Sequence, residues 1–236
     1  MGRFTTTTLL TIQAVMLLAA CDMTNPPENL GLMGIKSDVD TSSADGLSVV
    51  NITATVDPVA LPRGSVVAFT TSAGTLTPAT ASIPVDSLGR AVVQLKAPVD
   101  PASARLTATM NGVTLHTSVV FKRAFPDSIF LSTDHLALEP KTTNNTAKLT
   151  VTTWRATGLV SPGQLITLAA YAQGDASTPR GALSPTTVVN AAQPSTVIFF
   201  ADSIIPAGVV EIRAQMMGSN QSIVTGTANI IIIVRK

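Results

Sequence analysis

Arg105-Leu106-Thr107-Ala108-Thr109-Met110-Asn111-Gly112-Val113-Thr114-Leu115-His116-Thr117-Ser118-Val119-Val120-Phe121 holds two alternating runs and the turn between them. Leu106, Ala108 and Met110 share one face, and Val113, Leu115, Thr117, Val119 and Phe121 share another. A period of two belongs to strands whose one side is buried and whose other side meets water. Asn-Gly tolerates positive φ at both central positions of a tight turn, so the segment reads as a β-hairpin.

The same alternation spreads outward. Val50, Ile52, Ala54 and Val56 alternate with Asn51, Thr53 and Thr55, and Ala91, Val93 and Leu95 repeat the pattern. Turn signals separate the runs: Pro62-Arg63-Gly64, Ser72-Ala73-Gly74, Leu88-Gly89 and Asp100-Pro101. Past the N-terminal segment no long stretch carries a helical period. Many short strands at this spacing predict an all-β chain built as a β-sandwich.

The second half repeats the first. Gly74-Thr75-Leu76-Thr77-Pro78 returns as Gly181-Ala182-Leu183-Ser184-Pro185, and Leu61-Pro62-Arg63-Gly64 as Val160-Ser161-Pro162-Gly163. The hairpin's first strand has its counterpart in Glu211-Ile212-Arg213-Ala214-Gln215-Met216-Met217-Gly218. A period near one hundred residues fits tandem sandwiches and is too long for a solenoid. The expected domains are 32–123 and a divergent copy over 126–236. Unequal offsets between the copies place an insertion around Gln173 to Pro179.

Residues 1–20 have the order of an export signal: Arg3, an apolar run from Leu9 to Leu18, then Ala19-Ala20. The run is broken by Thr11 and Gln13 and falls short of the roughly 20 apolar residues of a membrane span. Leu18-Ala19-Ala20-Cys21 resembles the lipobox of bacterial lipoprotein precursors. That resemblance implies a diacylglycerol on Cys21 and a mature chain beginning there. The polar, turn-rich 21–31 then reads as a tether. Asp22 resembles an inner-membrane retention signal of enteric bacteria, a rule other lineages do not follow. An envelope location follows, on the cell surface or the periplasmic face.

Charged residues make up 12% of the chain, and loss of residues 1–20 leaves 14 positive against 14 negative side chains. So balanced a charge offers no footprint for nucleic acid. With a single cysteine there is no intrachain disulfide, and stability must come from burial.

Ala44-Asp45-Gly46, Ile52-Thr53-Ala54-Thr55-Val56, Pro62-Arg63-Gly64, Val67-Ala68-Phe69-Thr70, Gly74-Thr75-Leu76, Asp86-Ser87-Leu88-Gly89-Arg90-Ala91 and Leu106-Thr107-Ala108 follow one another in an order that resembles the bacterial Ig-like domain of the invasin and intimin type. The resemblance covers most of 32–122. The second copy lacks the Ala-Asp-Gly opening and the Asp-x-x-Gly turn. What the resemblance implies is a seven-stranded sandwich serving as spacer or adhesive module, with no catalytic site and no cofactor to carry over. In scale the sequence departs from invasin, holding neither a large barrel nor a terminal lectin-like domain.

Asp38, Asp40 and Asp45 have a calcium-loop look, but Val49 stands where an EF-hand needs its bidentate Glu, and a turn explains Asp45-Gly46. His116 falls on the outer face of its strand, and His135 adjoins Asp134; they sit in different modules and suggest surface histidines. Scattered carboxylates and the lack of a Gly-x-Ser-x-Gly elbow give catalysis no candidate. Trp154, Ile230 and Ile232 are the expected contacts for a protein or glycan partner. Trp154 falls on an outer face or is folded over a sandwich edge. Ile230-Ile231-Ile232-Ile233-Val234 is apolar on both faces, to be covered by the insertion near Gln173, by the first domain or by a partner.

Overall fold

The computed structural model describes residues 31–57, 64–79, 82–202 and 204–234. The export signal, Cys21, most of the tether and the turn at Pro62-Arg63 lie outside them. Among the described residues no helix is long and apolar enough to cross a membrane.

The first half contributes β1 (Leu32–Ser37), β2 (Thr41–Ala44), β3 (Val49–Val56), β4 (Val66–Thr71), β5 (Thr75–Thr77), β6 (Ser82–Pro84), β7 (Arg90–Lys96), β8 (Ala102–Met110) and β9 (Val113–Arg123). They form two sheets, ordered β1-β3-β7-β5 and β2-β9-β8-β4-β6. The second half contributes β10 (Ser128–Thr133), β11 (Ala137–Leu138), β12 (Thr146–Trp154), β13 (Leu165–Ala172), β14 (Asp175–Pro179), β15 (Ala182–Ser184), β16 (Thr187–Val189), β17 (Ser195–Phe200), β18 (Gly208–Met217) and β19 (Ile223–Ile232). Its sheets run β10-β12-β17-β15 and β11-β19-β18-β13-β14, with β16 also on β13.

Seven expected strands become nine and ten for a simple reason. Two edge segments in each copy cross from one sheet to the other, β1/β2 and β5/β6, then β10/β11 and β15/β16. In both copies the crossed segment pairs parallel with the last strand, Ser42 opposite Phe121 and Leu138 opposite Ile232. The tenth strand is β14, made by the insertion. It pairs antiparallel with β13 at the sheet edge, so it extends the sheet and covers nothing on β19.

The hairpin turn forms as its sequence requires, with Asn111 at φ 48° and Gly112 at φ 82°. The repeated Gly-x-Leu-x-Pro also has a physical cause. A Cβ on Gly74 would stand 2.5 Å from the Lys96 carbonyl oxygen, and one on Gly181 2.6 Å from that of Phe200. Both glycines have positive φ, and the prolines that follow, Pro78 and Pro185, are both cis.

Each sandwich has its own core. Val50, Ile52, Phe69, Leu95, Leu106 and Phe121 anchor the first; Leu149, Ile166, Phe199, Ile212, Ile230 and Ile232 anchor the second. Full burial of such a side chain contributes about 1.5–3 kcal/mol. Ile230 and Ile232 thus belong to the core, a correction to their expected role as contacts. Their alternation partners Ile231 and Ile233 point outward, 49% and 42% exposed. Period two decides this: β19 pairs with β18 through Val210↔Ile230 and Gly208↔Ile232, and Val210 is buried on the same inner face.

Candidate functional site

The most elaborate polar arrangement lies where the two sandwiches meet. The buried polar side chains among the described residues are Asp45, Ser161, Gln164 and Asn190, and all four are here. Burial of such groups is unfavourable unless each finds a partner, so their gathering fixes a geometry. It is built by the β2–β3 turn, the connection after β9, the β12–β13 loop and the end of the β16 segment.

Ser161 is the centre. Its hydroxyl donates to the Ala44 carbonyl at 2.8 Å and accepts from the Ala124 N–H at 2.9 Å. Its N–H donates to the Ala124 carbonyl at 2.9 Å, and Leu159 N–H reaches the Asp45 carbonyl at 2.8 Å. Gln164 Nε2 donates to the carbonyls of Ser161 and Ala124, at 2.8 and 3.1 Å. Asn190 holds the loop from below: Oδ1 accepts from Gln164 N–H at 2.7 Å, and Nδ2 donates to the Ser161 carbonyl at 3.0 Å. Gly158, at positive φ, brings its Cα so close that a Cβ would stand 2.7 Å from that of Asp45.

The missing turn of the second copy explains Asn190. Aligning Leu95 with Phe199 puts Asn190 where the first copy has Asp86, whose carboxylate accepts from Leu88 and Arg90 N–H groups to close the Asp-x-x-Gly turn. In the second copy this position serves the joint. Neither Ser161, Gln164 nor Asn190 stood out in the sequence; only the Pro-Gly turn beside Ser161 did.

Asp45 is the joint's buried ionisable group. Burial pushes its carboxyl upward, but the Ser48 and Leu47 N–H groups, the Ser48 hydroxyl and the charge of Arg155 together outweigh this and hold it below its ordinary 3.8. A carboxyl depressed by folding stabilises the folded state above its unfolded pKa, and the contribution fades as pH falls through its folded one. Thermal midpoints should therefore show no Asp45 contribution to pH dependence between pH 7 and about 5. Below that range wild type should lose more than Asp45→Asn; parallel pH profiles would contradict the assignment.

The other expected sites are dispersed. Asp38 accepts from the Asn51 N–H and side-chain amide, joining the β1 end to β3. No three His, Cys, Asp or Glu side chains gather as metal ligands among the described residues. His116 is exposed, 3.0 Å from the Thr107 hydroxyl. His135 lies between β10 and β11, outside any strand, and its ring meets the Asp134 carboxylate at 2.9 Å. Trp154 ends β12 opposite Ser128, on the outer face and 50% exposed. At the far end of the second sandwich Ile231, Ile233 and Val234 are partly exposed beside Leu136, and Ile233 and Val234 line a shallow cleft with Glu139 and Lys141.

No family model matches the sequence, and no curated protein matches it. Solved structures do match in fold. The Yersinia pseudotuberculosis adhesin InvE superposes with a TM-score of 0.54 at 19% identity, over 86% of this chain and 60% of its own. Invasin, described as a bacterial integrin-binding protein, gives a TM-score of 0.60 at 17% identity, over 84% of this chain and 38% of its own. The chain thus spans less than two thirds of either. What these similarities establish is the fold: two Ig-like sandwiches of the invasin type in tandem.

Proposed function

We propose that this chain is a lipid-anchored, non-enzymatic envelope protein whose Ig-like sandwiches act together as spacer and as adhesion or binding module. Cys21 carries the lipid at the head of the 21–31 tether, and the second sandwich is held away from the membrane. The observation that carries this reading is the joint. A spacer must transmit position, and the buried set of Asp45, Ser161, Gln164 and Asn190 supports one fixed arrangement of the sandwiches. The descriptions of InvE as an adhesin and of invasin as integrin-binding support the adhesive part.

Detergent phase partitioning and intact-mass measurement of the full-length product test the anchor. The mature chain is expected in the detergent phase, starting at Cys21 with added lipid mass. Cys21→Ser is expected to leave an uncleaved precursor or release the protein. An unmodified Cys21 in a soluble mature chain would refute the proposal.

A second reading is an accessory subunit of a larger envelope assembly that docks through the second sandwich. It is favoured by the outward Ile231, Ile233 and Val234 and loses Ile230 and Ile232, which are core. Protease added to intact cells decides the compartment: cleavage supports outward display, protection supports service inside the envelope.

A further inference from the structure

We infer that the anchor-distal end of the second sandwich is a homophilic contact surface, and that its occupant is the same end of a second copy of this chain. The inference rests on the adhesive reading above and names its partner.

The internal repeat shows how such an end is used. On the first sandwich the corresponding end, the β2–β3 turn and the residues after β9, is the one the second sandwich covers. The two ends match residue by residue. Ser42 pairs with Phe121 as Leu138 pairs with Ile232. Val120 N–H donates to the Asp40 carbonyl as Ile231 N–H donates to that of Leu136. Leu136, Ile233 and Val234 therefore stand where the first copy has Asp40, Lys122 and Arg123. Between β17 and β18 the residues 201–207 stand where the shorter 97–101 joins β7 to β8, and the longer loop carries Ile204 and Ile205. Three charged positions are aliphatic on the second copy.

The apolar patch is continuous. Leu136 lies beside Ile231 at the β11–β19 edge. Ile205, Ile233 and Val234 line one cleft of about 120 Å³, and Ile204 and Ile205 line the next. Leu136 and Ile204 are 71% and 85% exposed. With Ile231, Ile233 and Val234 they present on the order of 500 Å² of apolar surface, toward the upper end of what a monomer leaves in water. That equals the apolar share of a homodimer interface, roughly 65% of 800 Å² per side. The joint needs less, because chain continuity holds its two sandwiches at high effective concentration. A separate copy must draw its affinity from its own surface.

Charge selects the second copy. Glu139 and Lys141 line the first cleft, and Arg180 and Asp202 the second, so each holds one acid and one base. A twofold contact sets residue i against j and j against i, which places Glu139 of each copy against Lys141 of the other. The chain without residues 1–20 has 14 side chains of each sign, so copies approach without net repulsion. Carboxylates in both clefts disfavour an anionic lipid surface, and the first cleft is well below the roughly 300–1,000 Å³ that encloses a compact ligand. A head-to-tail contact lacks its donors: where the second sandwich brings Ser161, Gln164 and Asn190 to the joint, the first has Pro62, Ser65 and Asp86. Tip against tip remains, an arrangement open to copies anchored on facing cells.

Sedimentation of the full mature chain, made soluble by Cys21→Ser, reads the association. A monomer–dimer equilibrium in the micromolar range is expected, with scattering that shows an end-to-end dimer. Ile233→Lys combined with Val234→Arg gives this end the first copy's residues. It should weaken the dimer at least about tenfold, the effect of losing central contacts, with the thermal midpoint unchanged. Lys141→Glu and Glu139→Lys should each weaken self-association, and an equimolar mixture of the two should restore it. A chain monomeric into the millimolar range overturns the proposal, as does a dimer that the double variant leaves intact or a mixture that fails to recover. Monomers that cosediment with phosphatidylcholine vesicles also overturn it and assign the end to lipid. The adhesive reading fails separately: protection from protease on intact cells would remove outward display and leave the dimer in solution standing.

Discussion

Ile232→Lys is expected to unfold the second sandwich while the first keeps its own cooperative transition. Ile232 is 2% exposed, pairs with Gly208 and Leu138, and packs in the second core. An ammonium there finds no partner, and an uncompensated buried charge is strongly destabilising, by roughly 3–5 kcal/mol where buried ion pairs are broken. That approaches the whole stability of a domain, about 5–15 kcal/mol. Ile231→Lys is the control. Its side chain points outward one residue away, and the change is expected to shift stability by no more than about 0.5 kcal/mol. Amide spectra distinguish the outcomes: collapse of second-sandwich resonances for Ile232→Lys, and full retention for Ile231→Lys. Equal effects from both would mean the assigned strand register is wrong.

The second large effect is expected at the joint. A Gly158→Val side chain would start 2.7 Å from the Asp45 Cβ and 2.9 Å from its carbonyl oxygen, at a φ of +73°. The left-handed backbone alone is unfavourable by about 1–2 kcal/mol for a residue with a Cβ, and neither sandwich can move away without losing the Leu159–Asp45 bond. Ser161→Ala attacks the same place differently. It leaves the Ala44 carbonyl and the Ala124 N–H without their hydroxyl partner, each worth about 1–3 kcal/mol when buried unsatisfied. Both variants are expected to free the sandwiches from each other with both cores intact. Scattering from Gly158→Val should show a larger radius of gyration and a broader distance distribution than wild type. An unchanged profile would mean the joint contacts do not hold the arrangement.

The hairpin at Asn111-Gly112, the alternating strands and the internal repeat were legible because each rests on local rules: period two, positive φ in a two-residue turn, and a glycine where two backbones meet. The last strand was harder. Five consecutive apolar residues carry no alternation, and the phase that puts Ile230 and Ile232 inside and Ile231 and Ile233 outside comes from pairing with β18. The insertion near Gln173 was located, but a sheet edge takes it as a strand, and nothing local to the insertion says whether it will cover or extend.

The joint was almost illegible. Ser161, Gln164 and Asn190 are common loop residues, and their side chains bond to backbone groups of Ala44, Ala124, Ser161 and Gln164, with Ala44 more than a hundred residues away from Ser161. Hydrogen bonds to main chain leave no side-chain pattern to read. One trace did exist. The second copy drops the Asp-x-x-Gly turn at the place where Asn190 is taken for another purpose.

The account stands on the two sandwiches behaving as one body. Residual dipolar couplings measured on the intact mature chain report the orientation of each sandwich separately. The expected result is a single alignment tensor that fits the couplings of β1–β9 and β10–β19 together, with the magnitudes splitting apart in Gly158→Val. Two tensors of different magnitude in the wild-type chain would show the sandwiches reorienting independently, and would contradict the account.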